Sequence, residues 1–225
     1  MKIKTPVIIL NVKSYSESMG IKGLELAKNC QDVADETGSN IMYCPHQVDL
    51  AWVAGKIKIP CLAQHSDAFD PGSKTGWTVM QAVKEAGAKG TLVNHSEHRM
   101  GISDIDSIVQ KAKNLDLATV VCTNNTPVSQ AVAELAPTSI AIEPPELIGS
   151  GIPVSKADPK IVSSSVETVE DINKEIVVLC GAGISTGEDV KAAIDLGAKG
   201  VLLASGVVKA KDPKAVLLNL AEGII

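Results

Sequence analysis

Short runs of β-branched and apolar residues alternate along the chain with segments of helical periodicity. Eight such runs occur, at positions 7–12, 40–44, 59–63, 90–93, 118–122, 139–142, 176–180 and 200–204. Between them, apolar residues recur with helical spacing, as at Ile105, Ile108 and Ala112. Strands that are apolar on both faces belong in a parallel sheet covered by helices, because half-solvated strands alternate with polar residues. The pattern therefore predicts repeated strand–helix units.

Residues typical of helix starts and ends lie between the apolar runs. Predicted starts, each with a capping oxygen or a proline in the first turn, are Ser103, Thr126-Pro127, Asp158-Pro159, Thr186 and Asp212-Pro213. Glycines that can end helices are Gly38, Gly87 and Gly197. Eight strand–helix units in 225 residues, without a linker or a composition shift, favour a single α/β domain over residues 1–225, a (β/α)8 barrel. An open, doubly wound parallel sheet is the alternative.

Composition narrows the classes of function. A net charge of -5, with only two Trp, two Tyr and one Phe, disfavours binding to nucleic acid or to a membrane surface. Five cysteines without a close pair fit neither a disulfide framework nor a zinc ribbon, so we expect a reducing, cytoplasmic location. The four histidines lack metal-binding spacing, and residues 181–187 do not match a dinucleotide fingerprint. We therefore expect a small polar ligand, and neither a metal nor an organic cofactor.

Polar side chains recur directly after the predicted strands. Asn11 and Lys13 lie at the end of the first run, His95 follows the fourth and Glu143 follows the sixth. In a parallel barrel the carboxyl ends of the strands meet at one rim, where the active site lies. Taken singly, His95 could be a structural histidine and Glu143 a surface glutamate. Two prolines restrict the backbone after Glu143, which favours a role in a site for this carboxylate.

Small residues follow the last two predicted strands. These loops contain Gly183, Ala204 and Ser205. Small side chains let backbone N–H groups approach an anion, and barrels often bind phosphate at the loops after their seventh and eighth strands. Tight strand-to-helix turns would explain one such loop equally well, but two consecutive ones favour a phosphate site. Residues 147–151 contain two glycines spaced by one residue, as expected of a lid that closes over a ligand.

The order of these motifs resembles that of the triosephosphate isomerase family from the first strand to the last. The matching positions are Asn11-x-Lys13, Ala63-Gln64, Thr75-Gly76, His95-Ser96-Glu97, Glu143-Pro144 and Ile148-Gly149-Ser150-Gly151, followed by the glycine-containing loops. The resemblance implies a TIM barrel that interconverts dihydroxyacetone phosphate and D-glyceraldehyde 3-phosphate through an enediolate, in glycolysis and gluconeogenesis. The chain is about 25 residues shorter than a typical barrel of ~250 residues, which resembles the compact archaeal-type branch of this family.

The resemblance also implies a role for each site residue. Glu143 would be the base that moves the proton, and His95 the electrophile that polarises the substrate carbonyl; in this family, the standard example of such chemistry, the imidazole acts in its neutral form. Lys13 would hold the substrate's negative charge, and Asn11 would help to position it. Glu97 is expected to pair with Lys13. Backbone groups at Ile148, Gly149, Gly183, Ala204 and Ser205 would enclose the phosphate.

Three further segments bear on the resemblance. Ser96-Glu97-His98-Arg99 has a histidine where the family has an arginine, and the lid residues Pro145-Glu146-Leu147 lack the usual tryptophan. Residues 65–77, with Thr75-Gly76 near the tip, resemble the arm that completes a neighbouring subunit's site. We therefore expect a homo-oligomer, with a tetramer favoured over a dimer.

Two other functions are weighed against an isomerase. A pentose-phosphate epimerase would have acidic and histidine ligands on its early strands, and Asn11 and Lys13 argue against it. A non-catalytic sugar-phosphate-binding barrel would keep the anion loops without the reacting groups. The presence of Lys13, His95 and Glu143 together argues against this second alternative.

Overall fold

Parallel strands and flanking helices make up the fold. The structure is a computed structural model that describes residues 1–144 and 157–224. The strands are β1 Val7–Asn11, β2 Asn40–Cys44, β3 Gly90–Val93, β4 Ala118–Thr123, β5 Ser139–Ile142, β6 Val177–Cys180 and β7 Gly200–Leu203. The helices are α1 Ile21–Thr37, α2 Leu50–Ala54, α3 Met80–Glu85, α4 Ile102–Asn114, α5 Thr126–Ala133, α6 Pro159–Ile172, α7 Gly187–Asp195, α8 Ser205–Val208 and α9 Pro213–Glu222, with 3-10 turns at Ser16–Ser18 and Gln47–Asp49. The strands pair in parallel in the order β2-β1-β7-β6-β5-β4-β3.

Residues 59–63 close the sheet between β2 and β3. The backbone N–H of Tyr43 donates to the Pro60 carbonyl at 3.0 Å, and that of Ala63 donates to the Gly90 carbonyl at 2.9 Å. The sequence predicts a regular strand here, whereas the structure has only isolated bridges to the two neighbouring strands. Pro60 has no N–H to donate, so a regular ladder is interrupted at this point. The sheet is nevertheless closed, which makes the fold a (β/α)8 TIM barrel and excludes the open sheet.

Alternate residues of each strand face two different cores. Along β1, Ile8 and Leu10 pack in the layer between strands and helices, whereas Val7 and Ile9 face the barrel interior, and all four are fully buried. The interior is filled by residues from successive strands, among them Leu62, Leu92, Val120, Ala141, Leu179 and Leu202. Burying each such aliphatic side chain contributes about 1.5–3 kcal/mol to stability. The barrel is therefore a packed core, and ligands must bind at its ends.

Three of the predicted helix starts are confirmed. The side chains of Asp158, Thr186 and Asp212 each accept a backbone N–H of the helix that follows. The C-terminal prediction at Gly38 is also confirmed, because this residue has φ 75° and its N–H donates to the Ala34 carbonyl at 2.9 Å.

The predicted start at Thr126-Pro127 is also confirmed, although another residue is its cap, and the start at Ser103 is wrong by one residue. Helix α5 is capped by Asn125, whose side-chain oxygen accepts the N–H of Val128 at 3.0 Å, while Thr126 is its first helical residue. Helix α4 begins at Ile102, one residue before Ser103, and its N-cap Gly101 makes no side-chain hydrogen bond. Asn125 and Gly101 occupy the N-cap positions of these two helices, so neither predicted hydroxyl acts as the cap.

Candidate active site

Three candidate residues lie at the carboxyl ends of different strands. Asn11 is the last residue of β1, His95 lies two residues beyond β3, and Glu143 directly follows β5. Because the strands are parallel, these ends share one rim, and all three residues are buried there. One pocket at this rim is lined by Asn11, Lys13, Tyr15, His95, Glu143, Gly183, Ala204 and Ser205, among others. The other two candidates, Ile148 and Gly149, lie outside the described residues.

Lys13 is held in an unusual backbone conformation by two side chains. Its φ of 51° lies in the left-handed region, which costs a non-glycine residue roughly 1–2 kcal/mol. The side-chain oxygen of Asn11 accepts the Lys13 N–H at 3.0 Å, and the Gln64 amide donates to the Lys13 carbonyl at 2.9 Å. The Lys13 ammonium lies 2.9 Å from Oε1 of Glu97, which confirms the expected pair. These contacts direct the lysine into the pocket despite the strained backbone.

The ring of His95 is oriented by the backbone that follows it. Nδ1 of His95 accepts the backbone N–H of Glu97 at 3.2 Å, so a neutral ring carries its proton on Nε2. Nε2 in turn lies 3.4 Å from Oε1 of Glu143. The ring therefore presents a donor to the space beside the Glu143 carboxylate.

Glu143 is a buried carboxylate whose hydrogen-bonding capacity is not fully used. Its side chain is 3% exposed, and within residues 1–144 and 157–224 no hydrogen-bond partner meets Oε2. The Cys122 thiol lies against this carboxylate, and burial first, then the charge of Glu143, raises the pKa of that thiol. A Cβ on Gly181 would stand 2.5 Å from Cγ of Glu143, so only glycine leaves room for this side chain. A buried polar atom without a partner is costly, which makes Glu143 a candidate for chemistry.

The small-residue loops after β6 and β7 lie opposite these groups. Gly183 has φ 74°, a left-handed conformation that favours glycine, and Ala204 and Ser205 lead into α8. The carboxylate of Asp189 accepts the backbone N–H groups of Ser185 and Thr186 at 3.2 and 3.0 Å, which fixes the end of the first loop. Gly183, Ala204 and Ser205 thus line the same pocket as His95 and Glu143.

A second pocket adjoins the first across Lys13. It is lined by Gln47, Gln64, His65, Glu97 and His98, among others. The rings of His65 and His98 stack with their centroids 4.0 Å apart. Oδ1 of Asp67 lies 2.9 Å from Nε2 of His65. Burial first, then the charge of His65, lowers the pKa of His98, whereas Asp67 acts in the opposite direction.

The sequence did not predict the roles of three residues in the site. Tyr15 lines both pockets, Gly181 makes space for Glu143, and Cys122 lies against its carboxylate. Tyr15 follows Lys13 by only two residues, and this short spacing could have predicted that Tyr15 lines the pocket. The contacts of Gly181 and Cys122 depend on neighbouring strands, and no sequence signal points to them.

The five cysteines are buried and form no disulfide. Burial raises the pKa of Cys61 to about 12. Across the described part of the chain, no group of three His, Cys, Asp or Glu side chains is arranged to hold a metal ion. In that same part, helices long and apolar enough to cross a bilayer are absent.

A closed parallel barrel that gathers a lysine, an imidazole and a buried carboxylate at its carboxyl rim, beside small-residue loops, defines a class of protein: a (β/α)8 barrel enzyme that performs acid–base chemistry on a small molecule. Comparisons with known proteins give the family. The family model described as "Triosephosphate isomerase" matches residues 6–223.

Relatives with this name come from methanogens. The triosephosphate isomerase of Methanobacterium bryantii is 57% identical over 221 residues, which cover 98% of both chains. That of Methanocaldococcus jannaschii is 55% identical over 218 residues, covering 97% of this chain and 100% of the relative. The enzyme of Methanothermobacter thermautotrophicus is 53% identical, covering 98% and 96%. The chain belongs to the triosephosphate isomerase family, and these relatives share its short length.

Proposed function

We propose that this chain interconverts dihydroxyacetone phosphate and D-glyceraldehyde 3-phosphate with Glu143 as the base, His95 as the electrophile and Lys13 as the charge-stabilising cation. The observation that carries the proposal is the pair of Glu143 and His95. The Glu143 carboxylate is buried, and its Oε2 has no hydrogen-bond partner among the described residues. Its Oε1 lies 3.4 Å from Nε2 of His95. These groups suffice for a proton transfer, and we propose that no metal or organic cofactor takes part.

The reaction moves one proton between two adjacent carbons and one proton between their two oxygens. Glu143 removes a proton from the carbon beside the substrate carbonyl, and the electron pair moves onto the carbonyl oxygen to give an enediolate. The Nε2 proton of His95 polarises that oxygen, and the Lys13 ammonium stabilises the growing negative charge. Glu143 then returns the proton to the adjacent carbon. In the same sequence His95 donates its Nε2 proton to the former carbonyl oxygen and takes up the hydroxyl proton of the first carbon, which becomes the new carbonyl. Protons and electrons balance within the substrate, so the product is its isomer.

The phosphate group is held apart from the reacting carbons. We assign it to the loops after β6 and β7, with backbone groups at Gly183, Ala204 and Ser205, and to Ile148 and Gly149 of residues 145–156. The amide of Asn11 completes the positioning on the side of β1. Enclosure by these groups excludes water, which protects the enediolate from loss of phosphate.

The assembly and location of the chain are part of the proposal. Trp77 in the arm of residues 65–77 is 53% exposed, and Val48 near the second pocket is 85% exposed. Large apolar residues exposed on these segments support a homo-oligomer, and we favour a tetramer over a dimer. Light scattering of the purified chain distinguishes the two. Buried cysteines that form no disulfide support a cytoplasmic location. We also propose that residues 1–225 form one domain.

A coupled assay with D-glyceraldehyde 3-phosphate tests the function. The wild-type chain is expected to turn over, and Glu143→Asp is expected to lower kcat at least about a hundredfold, because the carboxylate is withdrawn from the reacting carbon. Inhibition by inorganic phosphate should change little in this variant. Glu134→Asp, at the exposed position that directly follows α5, is the matched control. Full turnover of Glu143→Asp would reject this base, and phosphate binding without any wild-type turnover would favour the non-catalytic barrel.

A further inference from the structure

A lysine and a tyrosine connect the two sides of the pocket. Lys209 directly follows α8, and its ammonium lies 4.3 Å from the centroid of the Tyr15 ring. Tyr15 comes two residues after Lys13 and lines both pockets. The contact therefore joins the loop after β1 to the segment that follows the small-residue loop after β7.

Without Lys209, the charges around the pocket would attract an anionic substrate only weakly. The Lys13 ammonium is paired with the Glu97 carboxylate at 2.9 Å, and Glu143 adds a second carboxylate to the lining. The chain as a whole carries a net charge of -5. Among the described residues that line the two pockets, the ammonium of Lys13 thus stands against the carboxylates of Glu97 and Glu143.

Lys209 supplies a further positive charge at this rim. Within the described residues, no carboxylate lies at ion-pair distance from its ammonium. The charge of Lys209 acts on the exposed Glu17 carboxylate. A backbone hydrogen bond and the Ser16 hydroxyl chiefly lower the pKa of Glu17, and the charge of Lys209 lowers it further. The negative face of the Tyr15 ring holds the ammonium in place without neutralising its charge.

We propose that Lys209, seated on the Tyr15 ring, is a second cation of the active site that captures the phosphorylated substrate. This inference rests on the proposed function. Lys209 acts on the approach and binding of the dianion, and Tyr15 is the residue that positions it. Because Lys209 contacts no reacting atom, it raises kcat/KM through KM and leaves kcat at saturation unchanged.

Steady-state kinetics at two salt concentrations test the proposal. At about 0.01 M salt, Lys209→Gln should lower kcat/KM about three- to tenfold and raise the inhibition constant of inorganic phosphate, whereas kcat stays the same. At about 0.5 M salt the difference should largely disappear, because a Debye length of only several Å screens an exposed charge. Lys209→Arg keeps the charge and should restore the wild-type value. Tyr15→Leu should reproduce part of the loss at low salt.

Lys211→Gln is the matched control, because it removes an exposed lysine two residues away, whereas the lysine over the Tyr15 ring is Lys209. Thermal melting of each variant verifies its fold. The proposal is overturned if Lys209→Gln has the same kcat/KM as Lys211→Gln. It is also overturned if the loss of kcat/KM in Lys209→Gln does not depend on salt, or if the loss lies in kcat. Absence of turnover in the wild-type chain would instead overturn the proposed function, so the two failures are distinguishable.

Discussion

The side-chain oxygen of Asn11, the last residue of β1, accepts the backbone N–H of Lys13 at 3.0 Å, two residues further along the chain. Lys13 has a left-handed backbone, and this hydrogen bond is one of two that hold it there. The strand end therefore does more than line the pocket, because it determines where the lysine ammonium points.

Asn11→Ala should release the Lys13 backbone. We expect kcat/KM to fall about tenfold, corresponding to about 1.4 kcal/mol, because Lys13 spends part of its time out of position. Asn40→Ala is the control, since Asn40 lies at the amino end of β2 and its amide donates only to the exposed Pro6 carbonyl at 2.9 Å. Steady-state kinetics of both variants are the measurement, and an Asn11→Ala variant as active as Asn40→Ala would contradict this account.

Gly181→Ala should displace the Glu143 side chain. The new Cβ would stand 2.5 Å from Cγ of Glu143 and 3.1 Å from the Ile142 carbonyl, so the carboxylate has to move. A shift of about 1 Å at the reacting group lowers kcat roughly a hundredfold, whereas inhibition by phosphate should persist. Gly101→Ala is the control, because its Cβ would meet only Asp104 and Ser103 atoms at 3.7–3.8 Å. Equal kcat values for the two variants would show that Glu143 tolerates the methyl group.

His98 should make the fold sensitive to acid. Burial, and then the charge of His65, lowers the pKa of His98 below its ordinary value of 6.5. The unfolded chain then binds a proton at this position more readily than the folded chain, so stability falls as the pH drops below 6.5. Urea unfolding at a series of pH values should show a smaller loss on the acid side for His98→Gln than for the wild type. His46→Gln should retain the wild-type loss, and identical profiles for the His98 variant and the wild type would refute the prediction.

Thr186→Ala should remove the reciprocal cap at the start of α7. The Thr186 hydroxyl accepts the Asp189 N–H at 3.3 Å, and the Asp189 carboxylate accepts the Thr186 N–H at 3.0 Å. Loss of such a cap costs about 1 kcal/mol, which lowers Tm by about 2–4 °C in a domain of this size. Thr186→Ser keeps the hydroxyl and should melt close to the wild type. A melting temperature of Thr186→Ala equal to that of Thr186→Ser would exclude a stabilising role for the hydroxyl.

Local features of the fold were predictable from the sequence, because they depend on neighbouring residues. Asp158, Thr186 and Asp212 cap helices where a short polar side chain precedes a helical segment, and the apolar runs mark the strands. Residues 59–63 show the limit of this reasoning. Their apolar pattern is that of a strand, but Pro60 reduces the ladder to isolated bridges.

The candidate site was predictable only in part. That Lys13, His95 and Glu143 share a rim follows from parallel strands, and their positions bear out that expectation. The contact of Gly181 with Glu143 depends on the register between β5 and β6, and the Tyr15–Lys209 contact joins opposite ends of the chain. Such relationships are set by tertiary packing, so spacing along the sequence does not reveal them.

The closing segment at residues 59–63 also determines how copies of this chain can meet. Its hydrogen bonds occupy backbone groups that β2 and β3 would otherwise present at the two outer sides of the sheet. A continuous ring of strands offers no template on which a second chain could add its own strand. The association that we propose between copies of this chain is thereby left to loops and helix surfaces, where side chains decide which partner is accepted.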